Sequence, residues 1–270
     1  MTVNGSNLIN TSVNGLPTDA DDRPFSFAIG TQIFLNPVDD PTDSIVSFKF
    51  NPDLLTSTGG SGEPTVSIGL ATDSELNTLA NWDSTYISSP NADAFPVGFN
   101  RKTSQSSQIS ISIQGAEIAT LGRTTEATSV SLAQNTFTII DHPYKSGDRV
   151  VVSSTGTIPG GLSQALSYYV IVDSADTIKF ALSATGATSG VEVDIQTIGS
   201  GTIQVANDEL FTLTRTGSTG SVVLKKDVSP IVTFTNTNPT SPLRLFYWCR
   251  EQSVSSSLPI FSEIKVRGAL

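Results

Sequence analysis

Apolar and polar residues alternate with a period of two along most of this chain, and Gly, Pro, Asn and Asp interrupt the alternation at short intervals. Successive side chains of a strand point to opposite faces, so each such run predicts a β-strand with one face buried. Phe25, Phe27 and Ile29 form one such face, and the apolar signal continues through Ile33 to Leu35. Val46, Phe48 and Phe50 form a second, ended by Pro52, and Val66, Ile68 and Leu70 a third; Ile109, Ile111 and Ile113 alternate with serines in a fourth. Further on, the runs are Val150 to Val152, Tyr168 to Val172, Thr177 to Leu182, Val191-Val193-Ile195 and Ile203 to Val205. The last group is Phe211 to Arg215, Val222 to Leu224, Ile231 to Thr235, Leu243 to Arg250 and Glu263 to Arg267. Asp73 to Trp82 is the one helical segment the spacing predicts, with Leu76, Leu79 and Ala80 on one side and Ser74 available as its cap. Asn81 to Phe99 reads as a long loop, and residues 1–23 as a polar arm. The fold class expected from this pattern is all-β.

Two stretches carry resemblances. "His-x-x-x-x-Gly-Asp-x-Val" at His142 to Val150 leads to a Pro-Gly-Gly-Leu turn within Gly156 to Leu162. A Tyr-Tyr-Val strand at Tyr168 to Val170 and a Thr-Ile-Lys-Phe-Ala strand at Thr177 to Ala181 follow. This series resembles a small β-module recurrent in bacteriophage virion proteins, assigned here to 128–206. The module has no known catalytic role. The strand order after residue 207 resembles the closing half of concanavalin-like (laminin-G-like) jelly rolls. It includes Val-Val-Leu-Lys-Lys-Asp at Val222 to Asp227, Pro-Leu-Arg-Leu at Pro242 to Leu245, and the final Ile-Lys-Val at Ile264 to Val266. Such a sandwich needs about a dozen strands, and 207–270 supplies about five of them. The expected organisation is therefore a jelly-roll β-sandwich built from 24–127 plus 207–270 and interrupted by the module. Three consecutive small β-domains are the alternative; neither flank is large enough to bury two facing sheets by itself.

Composition narrows the function. Charged residues make up 15% of the chain, against about 25% in ordinary domains, and Ser, Thr, Gly and Asn take their place. Short hydroxyl side chains suit sheet faces and turns, as on an extracellular or virion surface. A net charge of −10 without any Lys/Arg patch argues against nucleic acid as a partner. No apolar run approaches the ~18 residues of a membrane span, and the first residues lack the basic head and apolar run of a signal peptide. Cys249 is the single cysteine, so no internal disulfide forms.

Catalytic chemistry finds little purchase. His142 is the one histidine and coincides with a position of the module's pattern, and no Gly-x-Ser-x-Gly elbow occurs. One His and one Cys do not make a zinc site. Glu192 and Asp194 lack the third carboxylate of the concanavalin-like glycosidases and read as a solvated face opposite Val191, Val193 and Ile195. The aspartates of Asp19 to Asp22 and Asp39 to Asp43 read as turn formers, with loop calcium ligation the competing reading. The expectation is a protein that is not an enzyme and needs no metal or cofactor.

Sugar binding remains. Aromatic rings stack on pyranose faces, and short polar groups meet the hydroxyls. Trp82, Asp83 and Tyr86 fall together in one loop, and Arg244, Phe246, Trp248 and Arg250 share one face of the strand Leu243 to Arg250. That gives a candidate ligand set of Trp82, Asp83, Tyr86, Arg244, Trp248 and Arg250. The competing roles are core filling for Trp82 and a subunit interface for Trp248. Taken together, the expectation is a bacteriophage virion protein, a tail fibre or baseplate-associated fibre head that binds a host-surface polysaccharide. It would be a homo-oligomer, with a trimer implied by resemblance to fibres, docked to other virion proteins and inserting into no membrane. The alternative is a head-decoration or neck/collar protein with no host ligand.

Overall fold

The structure, a computed structural model, describes residues 2–4, 7–9, 25–34, 43–55, 65–76, 94–101, 108–113, 116–216, 219–234, 241–250 and 260–267. Among the described residues it is all-β, with three antiparallel sheets and no barrel. The chain divides into two compact units, 1–120 with 210–270, and 121–209.

The larger unit is a β-sandwich. Its first sheet runs in the order β1 (Thr2–Asn4), β2 (Asn7–Ile9), β20 (Phe261–Arg267), β4 (Ser44–Phe50), β16 (Leu210–Arg215), β17 (Val222–Lys226) and β18 (Ser229–Phe234). The second runs β3 (Phe25–Phe34), β19 (Leu243–Arg250), β5 (Thr65–Ala71), β6 (Ala94–Arg101), β7 (Gln108–Ile113) and β8 (Ala116–Gly122). The chain passes from one sheet to the other between β2 and β3, β3 and β4, β4 and β5, β18 and β19, and β19 and β20, and again between β8 and β16 on either side of the smaller unit. The alternation read from the sequence is what closes the sandwich. In β4 the odd positions are half-buried while Val46, Phe48 and Phe50 point inward. Phe48 stacks on Phe211 at 5.6 Å within its own sheet and meets Phe99 of the opposite sheet edge-on at 6.3 Å. Phe50 stacks on Phe99 at 4.2 Å, and Phe261 touches Phe48, Phe99 and Tyr247. Edge-to-face pairs at these separations add to the burial of apolar area. At the end of β16, Arg215 is buried; its guanidinium donates to the Ser241 carbonyl at 2.9 Å, and burial pushes its pKa below the ordinary arginine value.

Three local expectations are corrected in this unit. Ala94–Arg101, read as the end of a loop, is a strand paired on both sides, Phe95 with Leu70 and Phe99 with Ile111. Phe95, Val97 and Phe99 carry the alternation, and Pro96 and Gly98 conceal it by occupying the other face. The cap of the helix Asp73–Leu76 is Thr72, whose Oγ1 accepts from the Glu75 N–H; Ser74 lies inside the helix. Thr2–Asn4 and Asn7–Ile9, inside the polar arm, form a hairpin that joins the first sheet through Leu8 and Phe261.

The smaller unit has one seven-stranded sheet. Its order is β10 (Ser129–Ser131), β11 (Thr136–Thr138), β14 (Thr177–Ala181), β13 (Ser167–Val172), β12 (Arg149–Ser154), β15 (Ile203–Asn207) and β9 (Thr125–Ala127). Phe137, Val150, Val152, Tyr168, Val170, Ile178, Phe180 and Val205 fill its core. Val191 to Ile195 is not the strand that its alternation predicts. A short helix, Ala184–Ser189, precedes it, capped by the Ser183 hydroxyl and ended at Gly190 with φ +73°. The following segment lies against the sheet, with the Val193 N–H bonded to the Phe180 carbonyl at 2.7 Å and only Ile195 fully buried.

Candidate functional site

The motifs between His142 and Ala181 serve in turns, clasps and core. Gly147 takes φ +94°, and the Asp148 carboxylate accepts from the Lys145 N–H at 2.8 Å, so Gly-Asp builds the turn that starts β12. The same turn is tied to β13 by the Gly147 N–H on the Val170 carbonyl (2.8 Å) and the Val170 N–H on the Asp148 carbonyl (2.9 Å). His142 places Nε2 2.9 Å from the Ser174 carbonyl and stacks on Tyr144, and no carboxylate or nucleophile completes a catalytic arrangement with it among the described contacts. The buried Tyr144 hydroxyl donates to the Val205 carbonyl at 2.6 Å and lies 3.1 Å from the Arg123 carbonyl, so it clasps the first and last segments of the unit. Gly161, at φ +96°, sits where a Cβ would fall 2.1 Å from the Asp194 carbonyl oxygen.

Asp194 is exposed, and Glu192 is partly exposed but held by two partners. Lys179 Nζ lies 2.7 Å from its Oε2, and the Asn135 side-chain amide donates to its Oε1 at 3.0 Å. Asn135 Oδ1 in turn accepts from the Ile195 N–H at 2.9 Å. These bonds hold the Glu192 carboxyl below the usual carboxylate range, and the same pairing raises the Lys179 pKa. The depressed carboxyl contributes stability above the unfolded carboxylate value, and that contribution disappears as pH falls through the folded value. The raised lysine contributes below its unfolded value and loses that contribution as pH rises through its folded one. Glu192→Gln is expected to cost about 0.5–1 kcal/mol at neutral pH, as for other partly exposed pairs. In urea titrations the gap from wild type should close in acid; a gap that persists below the carboxylate range would refute this account.

Of the six candidate sugar-binding residues, Trp82, Asp83 and Tyr86 lie outside the described residues. The aspartates Asp19 to Asp22 and Asp39 and Asp40 do as well, and Asp43 is exposed. Arg244, Trp248 and Arg250 occupy alternate positions of β19, in register with Ala71, Ser67 and Thr65 of β5. Tyr247 touches Phe261 in the sandwich core, so these alternate positions belong to the outer face of the six-stranded sheet. For Trp248 and Arg250 the structure describes the strand alone. The Arg244 guanidinium is engaged, with Nε donating to Asp73 Oδ1 at 2.6 Å. Phe246 on the same face is 1% exposed and packs over Gly69, where a Cβ would fall 2.8 Å from its ring. The outer face around it has a floor of small residues, Ser67, Gly69, Gly98, Ser110 and Ser112, all buried. Asn100 donates to the Ser112 hydroxyl across β6 and β7.

No three His, Cys, Asp or Glu side chains gather to hold a metal ion among the described residues. What sequence reading did not find is a grouping of exposed apolar side chains at one end of the smaller unit: Leu132, Leu166, Leu182, Val191 and Ile198. Leu132, Leu166 and Ile198 lie beyond strand ends, where a period-two signal says nothing, and Leu182 and Val191 fall outside the strands in which the alternation places them. Comparison with protein families, with curated proteins and with solved structures finds no match to this chain.

Proposed function

We propose that the chain is a bacteriophage virion structural protein, a tail fibre or baseplate-associated fibre head that works by binding a host-surface glycan. What supports this reading above all is the module resemblance of His142 to Ala181, whose residues serve in turns, clasps and core. The charge-poor, hydroxyl-rich composition is in keeping with a particle exterior, and Trp248 and Arg250 of β19 are the proposed glycan contacts, the rest of that sheet face being buried at Ser67, Gly69, Gly98 and Phe246. The protein assembles as a homo-oligomer, a trimer by analogy with fibres, held to other virion proteins.

A second reading, a head-decoration or collar protein without host ligand, is favoured by one observation: Phe246 is buried and Arg244 is committed to Asp73 on the face that would meet the glycan. Immunogold labelling of intact particles separates the two. Label at the tail tip or sides is the expected result, label over the head or neck supports the second reading, and unlabelled particles refute both. At the residue level, Trp248→Ala is expected to lose glycan binding at least ~10-fold with an unchanged melting curve, because an aromatic ring at a sugar site acts on the complex more than on the fold. Lost stability with undiminished glycan binding would instead assign Trp248 to core or interface. Turnover of host polysaccharide by the pure protein would overturn the binding reading altogether.

A further inference from the structure

Strand register gathers cations that lie far apart in sequence onto one face of the sandwich. The sandwich's seven-stranded sheet, β1-β2-β20-β4-β16-β17-β18, carries one of the chain's 25 acidic residues, Glu263. It carries six of the 15 basic ones: Lys49, Arg215, Lys225, Lys226, Lys265 and Arg267. Residues paired across an antiparallel ladder share a face, and Ser47, between the inward Val46 and Phe48, belongs to the outer one. Ser47 pairs with Lys265 on one side and Thr212 on the other, and Thr212 pairs with Lys225. One row across the outer face is therefore Lys265, Ser47, Thr212 and Lys225. In the adjoining row Arg267 pairs with Ile45, and on the other side Lys49 pairs with Ser262 and Leu210. The two remaining cations do not join this face: Arg215 is buried, and Lys226 is in register with Phe211 of the core.

Carboxylates do not neutralise this row. Glu263, in the bulge of β20, is taken by Lys49, whose Nζ lies 3.0 Å from its Oε1. Asp227, in the turn from β17 to β18, accepts from the Leu210 N–H at 3.3 Å, and Asp43 precedes β4, so both stand at strand ends. Lys225, Lys265 and Arg267 form no ion pair among the described residues. Lys265 and Arg267 are exposed and Lys225 is half-buried. Three strand spacings separate Lys265 from Lys225, roughly 14 Å between their Cα atoms. Ser47 and Thr212, half-buried, fill the interval, and no side-chain hydrogen bond engages their hydroxyls among the described residues.

From this we infer that the outer face of this sheet binds an anionic glycan, a sugar polymer whose carboxylates recur only every few sugars. Lys225, Lys265 and Arg267 meet its charges, and Ser47 and Thr212 meet its hydroxyls. On a chain of net charge −10, a face with unmatched cations is where an anionic polymer approaches without repulsion. The spacing selects the polymer. Duplex DNA presents a charge about every 1.7 Å along its axis, far denser than these cations, and its unmatched phosphates would face an acidic protein. The rows of this face also hold no aromatic ring on which a base could stack. This deepens the glycan-binding function proposed above and rests on it, adding a contact surface to the two residues of β19.

The test is titration calorimetry of the full chain with hyaluronan, a polymer with a carboxylate on alternate sugars, and with dextran, which has none. The variant combines Lys225→Gln, Lys265→Gln and Arg267→Gln, and Lys145→Gln, an exposed lysine of the smaller unit, is the control. Surface changes of this kind should leave melting unaltered. Wild type and Lys145→Gln are expected to bind hyaluronan, more weakly as salt is raised, and to ignore dextran. The triple variant should lose about tenfold or more in association constant, the combined worth of three exposed ion pairs. A wild type that does not bind hyaluronan, or a triple variant that binds it undiminished, would overturn the face assigned here. Single-stranded DNA bound as tightly as hyaluronan at the same salt would overturn it too, in favour of nucleic acid. The reading it rests on fails separately: host polysaccharide bound by the triple variant but lost in Trp248→Ala leaves that reading standing and sinks this one.

Discussion

Phe48→Ala is expected to destabilise the sandwich by about 3–5 kcal/mol, the range for deleting a fully buried aromatic ring. The ring is 0% exposed and contacts Phe211, Phe261 and Phe99, which come from three strands on both sheets. Truncation removes the transfer free energy of the ring and leaves a cavity that rigid aromatic neighbours fill poorly. Urea denaturation measures it. Val228→Ala is the matched control: that side chain is 83% exposed and its loss should stay within about 0.5 kcal/mol. A Phe48→Ala loss no larger than the control's would mean that the two sheets do not share this core.

Gly161→Ala is expected to cost the module about 3 kcal/mol or more, while Gly147→Ala costs about 1–2 kcal/mol. Both glycines hold positive φ, +96° and +94°, so both substitutions incur the left-handed penalty. Only at Gly161 does the new methyl also meet backbone, the Asp194 carbonyl oxygen at 2.1 Å, whereas at Gly147 there is nothing within 4 Å. Relief at Gly161 requires the 155–161 loop to part from the 194–201 segment, breaking the Gly160–Thr197 bridge. Amide exchange at Gly160 and Gln196, whose N–H groups close that bridge, should quicken in Gly161→Ala and stay slow in Gly147→Ala. Equal effects of the two substitutions would show that steric contact adds nothing to the backbone penalty.

The all-β class was legible because burial and alternation coincide: Val46-Phe48-Phe50, Val66-Ile68-Leu70, Ile109-Ile111-Ile113 and Ile178-Phe180 all point into cores. Reading failed where local chemistry and pairing diverge. Pro96 and Gly98 look like loop residues, yet β6 is buried on both faces, and a strand in that setting has no need of a polar side. The helix Ala184–Ser189 has no apolar stripe; it buries Ala187 alone and exists by virtue of its two caps. Val191, Val193 and Ile195 alternate without pairing because the Lys179–Glu192–Asn135 bonds, made by residues distant in sequence, decide how that segment lies. Of the candidate sugar-binding set, Arg244, Trp248 and Arg250 occupy alternate positions of β19, and Trp82, Asp83 and Tyr86 lie outside the described residues. The apolar end of the module was not legible, because register alone assembles it from four separate loops.

The pairing of β4 has a consequence for the order in which the molecule can form. Its two neighbours are β16 and β20, so Ile45 waits for Thr214 on one side and for Arg267 on the other. During synthesis Val46, Phe48 and Phe50 therefore emerge with no strand beside them, and stay so while the whole of 121–209 is made. The pairings inside that unit, such as Tyr169 with Ala181 and Val130 with Phe137, close over short loops and form fast. The inserted unit is thus able to mature on the ribosome while its host is an open half with uncovered phenylalanines, a state that invites chaperone binding or aggregation. The folding rate of the sandwich is then governed by the latest strands to be translated, β16 to β20, and not by the strands that were made first.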